Sequence, residues 1–443
     1  MKIFAPQSLA IVAMLIGAAA AAAGNSAEVP EIAAIRSATP ETRAAAVATL
    51  WSAVAKRGTP LLQLLPEQPG RMRATFVWQQ PETENEPNVA LIASFAPGGS
   101  RQVVPFERLA GTNVMQTSLL VDARARYRYY LAWPRGRNDD PQAIWRMQAN
   151  GLTYELFTDP HSRHSYVDDF EGAPTPTSYF EGPAAPAEAW LQPDPSIAPG
   201  SIDTFEIAST LLNNSRRVSV YTPAGYARST TRLPLLVLFD REGYLLSVPT
   251  PTILDNLIAD GTVPPLVAVL VSAIDGTHRS KELSANARFA AFVVDELLPR
   301  VRKDYRVTRD PRLTVVAGSS LGGLSSAYLG YLHPETFGNV LSLSGSYWWH
   351  PSVDGDDEHS TDQGSGWLPR QYAARPRLPL RFYLAVGSAE GAPMLTPNRL
   401  FRDVLTAKGN PLRYDEFQGD HSYLNWRDGL VAGLRFLLTQ RTP

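Results

Sequence analysis

The sequence predicts a chain in two folded parts, a small antiparallel β-sandwich followed by a doubly wound α/β domain with a mostly parallel sheet. Two observations carry this reading. From about Arg71 to Trp133, short alternating runs such as ATFVWQ, VALIASFA and RYRYYLAW are separated by Pro, Gly and Asn, a period of two that fits half-buried strands joined by turns. Further on, apolar runs alternate with helical stretches: LPLLVLFD, PLVAVLVSAID, RLTVVAG, NVLSLSGS, LRFYLAVG and LRYDEFQG. Strands that are apolar on both faces and interleaved with helices belong to a sheet covered on both sides.

The elements follow in order. Residues 1–23 carry a basic Lys2, an apolar Leu9 to Ile16 and a small-residue site at Ala21 to Ala23, the pattern of a cleaved signal peptide. The mature chain is therefore expected to be soluble and periplasmic or secreted, with no membrane contact after cleavage. Residues 24–69 read as a helical segment, with Thr39 as N-cap, Pro40 in the first turn and Gly58 at the end. Residues 70–171 form the sandwich. Residues 172–200, dense in Pro and Ala, read as a linker without a continuous ladder. Residues 201–443 form the α/β domain, with helices expected at 287–305, 321–333, 398–408 and about Tyr423 to Leu438.

Composition narrows the function. In 443 residues, 41 Lys and Arg balance 43 Asp and Glu, so no global field recruits nucleic acid or anionic membrane. The absence of Cys removes disulfides, thiolate metal sites and a thiol nucleophile. No cofactor motif is present. The acidic stretch PSVDGDDEHSTDQGSG (351–366) invites a calcium reading, but His359 stands where an EF-hand needs Gly and no flanking helices are evident. No metal site is expected, and the stretch reads as a solvated insertion.

Chemistry enters at Gly318-Ser319-Ser320-Leu321-Gly322-Gly323, directly between an apolar strand and a helix. A sharp strand-to-helix turn needs small residues two before and two after its apex, and Gly318 and Gly322 supply them. The apex, Ser320, then presents its hydroxyl above the carboxyl edge of the sheet as a nucleophile. The pentapeptide alone equally describes a Gly/Ser turn capping a helix; the strand before it and the helix after it select the elbow.

Among seven histidines, His421 follows the strand Leu412 to Phe417 and precedes the last helix, after the serine in chain order. That is where an α/β-hydrolase places its general base. The acid belongs between them at a strand end, where Glu390 sits in LRFYLAVGSAEG. Asp403, Asp415 and a dyad with no acid remain open. The backbone N–H groups of Leu321 and of Arg241, after the strand LLVLF, are the candidate oxyanion hole.

These segments resemble the enterochelin (ferric enterobactin) esterases. VVAGSSLGGLSSAYLGYLHPETFGNVLSLSGSYWW is similar to that family's elbow, helix and next strand, AIDGTHRSKELSAN to its substrate-side loop, GDHSYLNWRDGL to its histidine segment, and RLAGTNVMQTSLLVDARARYRYYL to its N-terminal β-domain. The resemblance spans roughly residues 70 to 437 and implies hydrolysis of the trilactone of a catecholate siderophore, with the β-domain over the mouth of the site. A ferric tris-catecholate is anionic, so it calls for local cations and aromatic faces. Arg279 and Arg241 are candidates for the first, and Trp348, Trp349 and Trp426 for the second; a structural salt bridge or core packing is the competing role for each. The five acidic residues of 351–366 would repel such a substrate. The partner is thus a small-molecule ester. A feruloyl-type or aryl esterase, and a non-catalytic binding module on a hydrolase scaffold, are the alternatives, and oligomeric state is not legible.

Overall fold

The structure, a computed structural model, describes residues 28–81, 89–95, 102–133, 145–149, 152–170, 173–351 and 366–439. The expected signal peptide and nearly all of the acidic stretch lie outside them.

Two helices open the described chain, Pro30–Ser37 and Pro40–Arg57. The second starts where Thr39 N–H meets Thr42 Oγ1 at 3.0 Å and stops at Gly58, whose φ of 75° lies in the left-handed region. Ile32, Ile35, Leu50 and Val54 pack on Leu61, Val77, Leu109 and Val114, so this segment covers the outer face of a four-stranded antiparallel sheet. That sheet runs in the order Leu61–Leu64, Arg71–Gln79, Val114–Asp122, Glu107–Arg108. Its other face, with Met72, Phe76 and Met115, meets Leu91, Tyr129, Leu131, Phe157 and Phe180 of a seven-stranded sheet. Phe76 points inward and Val77 outward, as the strand period requires.

Two boundaries differ from the sequence reading. The strand Leu61–Leu64 falls inside the segment read as helical, and it pairs with Arg71–Gln79. The segment read as a linker at 172–200 contains the strand Ala173–Glu181, paired from Ala173 to Tyr179 with His164–Phe170. Only its last part, Ser178 to Glu181, also pairs with Arg126–Trp133. Pro174 and Pro176 therefore lie where the strand has a ladder partner on one side alone, the position in which a missing N–H is tolerated.

The α/β domain is built on one eight-stranded sheet. Its strands are β1 (Ser201–Ser209), β2 (Asn214–Thr222), β3 (Leu235–Phe239), β4 (Val267–Val271), β5 (Thr314–Ser319), β6 (Asn339–Leu343), β7 (Arg381–Gly387) and β8 (Leu412–Phe417). They lie in the order β1-β2-β4-β3-β5-β6-β7-β8, parallel from β4 to β8, with β1 and β2 antiparallel. Alternate residues feed two cores, Val237, Phe239 and Val316 on one face and Leu236, Leu238, Val315 and Ala317 on the other. This is the α/β-hydrolase sheet preceded by an antiparallel sandwich. Helix covers 287–304 with a π-helical turn at Phe292–Leu297. The helix expected at 398–408 begins earlier, as Ala392–Ala407, and tolerates Pro397 inside it.

Candidate active site

Four non-glycine residues with positive φ stand just past the carboxyl ends of four neighbouring strands: Asp240 after β3 (61°), Ile274 after β4 (70°), Ser320 after β5 (58°) and Ser344 after β6 (47°). Such backbone costs of order 1–3 kcal/mol each and persists where the surroundings over-determine it. The edge they mark holds the residues singled out above.

Ser320 joins β5 to the helix Leu321–Leu332. A Cβ on Gly318 would lie 2.5 Å from the backbone of Gly322, so the close approach of strand and helix excludes any side chain there. Ser320 N–H donates to Leu343 O at 2.9 Å, and its carbonyl accepts from Ser346 N–H at 3.1 Å. Its hydroxyl lies 3.4 Å from Ser346 Oγ, too far to commit it. Ser319 is fully buried beside it. Leu321 is the first residue of the helix, where N–H groups have no intrahelical acceptor.

His421 lies between β8 and the helix Tyr423–Leu438. Its Nδ1 is 2.6 Å from Glu390 Oε2. The other carboxylate oxygen, Oε1, accepts from Ser344 Oγ at 2.5 Å and from Gly387 N–H at 2.7 Å. Ser344 Oγ accepts in turn from Trp426 Nε1 at 2.9 Å, and that indole packs edge-on to the imidazole at 4.7 Å. With its carboxylate nearly inaccessible and bonded on both oxygens, Glu390 can fix the tautomer that leaves His421 Nε2 unprotonated. Asp415 instead meets Tyr383 Oη at 2.8 Å, and Asp403 lies beside Arg402 on the surface.

Arg241 begins the short helix after β3. Its side chain is occupied by Ser219 Oγ at 2.7 Å and Glu242 at 2.9 Å, which leaves its backbone N–H as the relevant group. Asp240, just before it, is gripped by Arg279: Nε and one terminal nitrogen each donate to a separate carboxylate oxygen at 2.8 Å.

That pairing corrects the reading of Arg279 as a substrate cation. Arg279 is 3% exposed and holds the turn that carries Arg241 rather than facing solvent. Glu282, three residues further along the same helix, pairs with Arg216. Trp349 and Trp426 are corrected as well. Trp349 is buried in the core and Trp426 is wholly buried beneath His421, so neither offers a face to a ligand. Trp348 is 36% exposed two residues beyond Ser346.

Residues missed by the sequence reading are Ser344, Ser346 and Arg128. Arg128, on the sandwich strand Arg126–Trp133, bonds Asp420 and the His421 carbonyl. The serines carry a weak signal, the SxS after a strand, whereas Arg128 lies 293 residues from its partner and carries none.

With this geometry in place, comparison with known proteins places the chain. The esterase family model matches residues 209–437, and the enterochelin esterase N-terminal family matches residues 73–191. The iron(III) enterobactin esterase of Escherichia coli strain K12 is 33% identical over 379 residues, covering 81% of this chain and 90% of the relative. That of Dickeya dadantii is 30% identical over 416 residues, covering 89% and 93%. The crystal structure of the ferric enterobactin esterase from Salmonella typhimurium superposes with a TM-score of 0.71 at 29% identity, covering 88% of this chain and 98% of that one.

Proposed function

The chain belongs to the enterochelin esterase family and is a carboxylic ester hydrolase, and from that premise we propose that it is an exported enzyme cleaving a catecholate siderophore trilactone through an acyl-enzyme on Ser320. The observation that carries the mechanism is the 2.6 Å contact of His421 Nδ1 with a buried Glu390, on the edge where Ser320 caps β5. Ser320 Oγ attacks the ester carbonyl while His421 Nε2 takes its proton. The N–H groups of Leu321 and Arg241 donate to the oxyanion, each contributing about 3 kcal/mol in the transition state. Collapse expels the seryl alcohol, which takes the proton from His421. Water then attacks the acyl-enzyme, losing its proton to the same nitrogen, and frees Ser320.

The substrate class is supported by relatives named iron(III) enterobactin esterases and by a Shigella flexneri esterase solved in the presence of enterobactin, at a TM-score of 0.70 and 30% identity. Trp348 supplies an exposed indole for a catechol ring. Mass spectrometry of products from apo and ferric enterobactin, beside neutral aryl esters, tests the proposal. Addition of one water per cleaved ester to the trilactone by wild type, and not by Ser320→Ala, supports it. Turnover of simple aryl esters with an untouched trilactone sinks the siderophore assignment and leaves a general esterase. Export is tested by sequencing the N-terminus of the mature protein, expected at Gly24.

A further inference from the structure

We infer that Arg128 is a positioning residue for the catalytic base, so that the N-terminal sandwich is a working part of the hydrolase; the inference rests on the Ser320–His421–Glu390 reading above. The guanidinium serves three oxygens at once. Nε donates to Asp420 Oδ2 at 3.0 Å, one terminal nitrogen to Asp168 Oδ2 at 2.5 Å, and the other to the backbone carbonyl of His421 at 2.8 Å. Asp420, the residue before the base, is 1% exposed. It also accepts from Ser94 of the sandwich, from Ser422 Oγ at 2.7 Å and from Asn425 Nδ2 at 2.8 Å.

His421 is held at two points. Glu390 grips the ring, and a single bond to a ring nitrogen fixes the tautomer but lets the imidazole travel with its loop. Arg128 grips the peptide, which fixes where the loop stands. The rigid planar fork matters, because a lysine ammonium cannot reach three oxygens in this arrangement. Burial pushes the Asp420 carboxyl up, but Arg128 and the Ser94 and Ser422 hydroxyls outweigh it and hold the group below its ordinary value, so it stays an acceptor.

Docking of the sandwich does not depend on Arg128 alone. Arg126 bonds Asp428 of the last helix at 3.1 Å, and Glu188 beyond the sandwich pairs with Arg427 of the same helix at 2.6 Å. Removing Arg128 therefore loosens the base while other contacts still hold the interface.

The test compares full-length wild type, Arg128→Lys, Arg128→Met and Arg128→Met/Asp420→Asn on a short neutral aryl ester too small to reach the sandwich, with thermal melts on each. Misplacing the base by roughly 1 Å predicts kcat lower by about 10²-fold, with KM within about threefold of wild type. The double variant removes one of the two buried carboxylates that lose their cation, Asp420 and not Asp168, and regains part of the lost melting temperature, yet its kcat stays low because the His421 carbonyl contact is still missing. Recovery of kcat along with stability overturns the inference, as does a folded Arg128→Lys or Arg128→Met enzyme within about threefold of wild-type kcat. If Arg128→Met does not fold, the lysine variant decides. Ser320→Ala run in parallel separates the two ideas: activity surviving in it defeats the triad itself, whereas an inactive Ser320→Ala beside active Arg128 variants defeats only the positioning role.

Discussion

Replacing Glu390 with Gln changes one oxygen for an NH2 group and alters almost no volume, so its effect follows from hydrogen bonding alone. The wild-type carboxylate accepts on both sides, from His421 Nδ1 on Oε2 and from Gly387 N–H and Ser344 on Oε1. Gln can accept on one side only. If its oxygen faces the histidine, its NH2 meets the fixed Gly387 N–H, donor against donor, where 2.7 Å now separates donor from acceptor. The favoured orientation is the reverse. The amide oxygen keeps Gly387 and Ser344, and the NH2 donates to His421 Nδ1. The imidazole then carries its proton on Nε2 and cannot take one from Ser320. A wrong-tautomer histidine lowers kcat by about 10⁴ in serine hydrolases, equivalent to about 5 kcal/mol on the barrier. Steady-state turnover of an aryl ester by purified Glu390→Gln, with circular dichroism and melts to confirm folding, measures this. A folded variant within about tenfold of wild type would refute the tautomer argument and leave a dyad.

Three further outcomes follow from the geometry. Ser320→Ala should lower turnover by about 10⁶ and abolish labelling by an organophosphonate, while Ser319→Ala, at a buried neighbour, is much milder; equal losses at the two would mean the elbow is read one residue out of register. Arg279→Ala leaves the buried Asp240 carboxylate unpaired, a cost of about 3–5 kcal/mol in denaturant titration, and should slow neutral and anionic esters alike; selective loss on the anionic substrate would return Arg279 to recognition. The bidentate contact with Arg399 holds the Glu416 carboxyl down at about 2 against an ordinary 4.5; its contribution is full above the unfolded value and lost as pH falls toward 2, so the small melting-temperature gap between wild type and Glu416→Gln, worth less than about 1 kcal/mol, should close over that range.

How much was legible in the sequence depended on the range of the physics involved. The elbow is local: strand, small residues and helix lie within a few positions of Ser320, so its placement could be read directly. His421 and Glu390 were legible because each sits just past a strand, and strand ends in this architecture share one edge. Side-chain direction was not. Arg279 lies in a polar stretch, and only the partner 39 residues away reveals that it is buried. Trp349 and Trp426 lie among polar neighbours in sequence, yet three-dimensional packing put one into the core and the other under the imidazole. Pro174 and Pro176 misled for a related reason, since their cost depends on which side of the strand a partner occupies.

The contact between Arg128 and the histidine loop also joins parts of the chain that are made far apart in time. Domains tend to fold as units with the N-terminal one first, and the sandwich strands are complete at Glu181. At that stage Asp420 and His421 have not been made. A sandwich that folds first thus carries the Arg128 guanidinium and the Ser94 hydroxyl for a carboxylate about three hundred residues downstream. The contact that ties the sandwich to the second domain and the loop that carries His421 are therefore completed together, once that segment is in place.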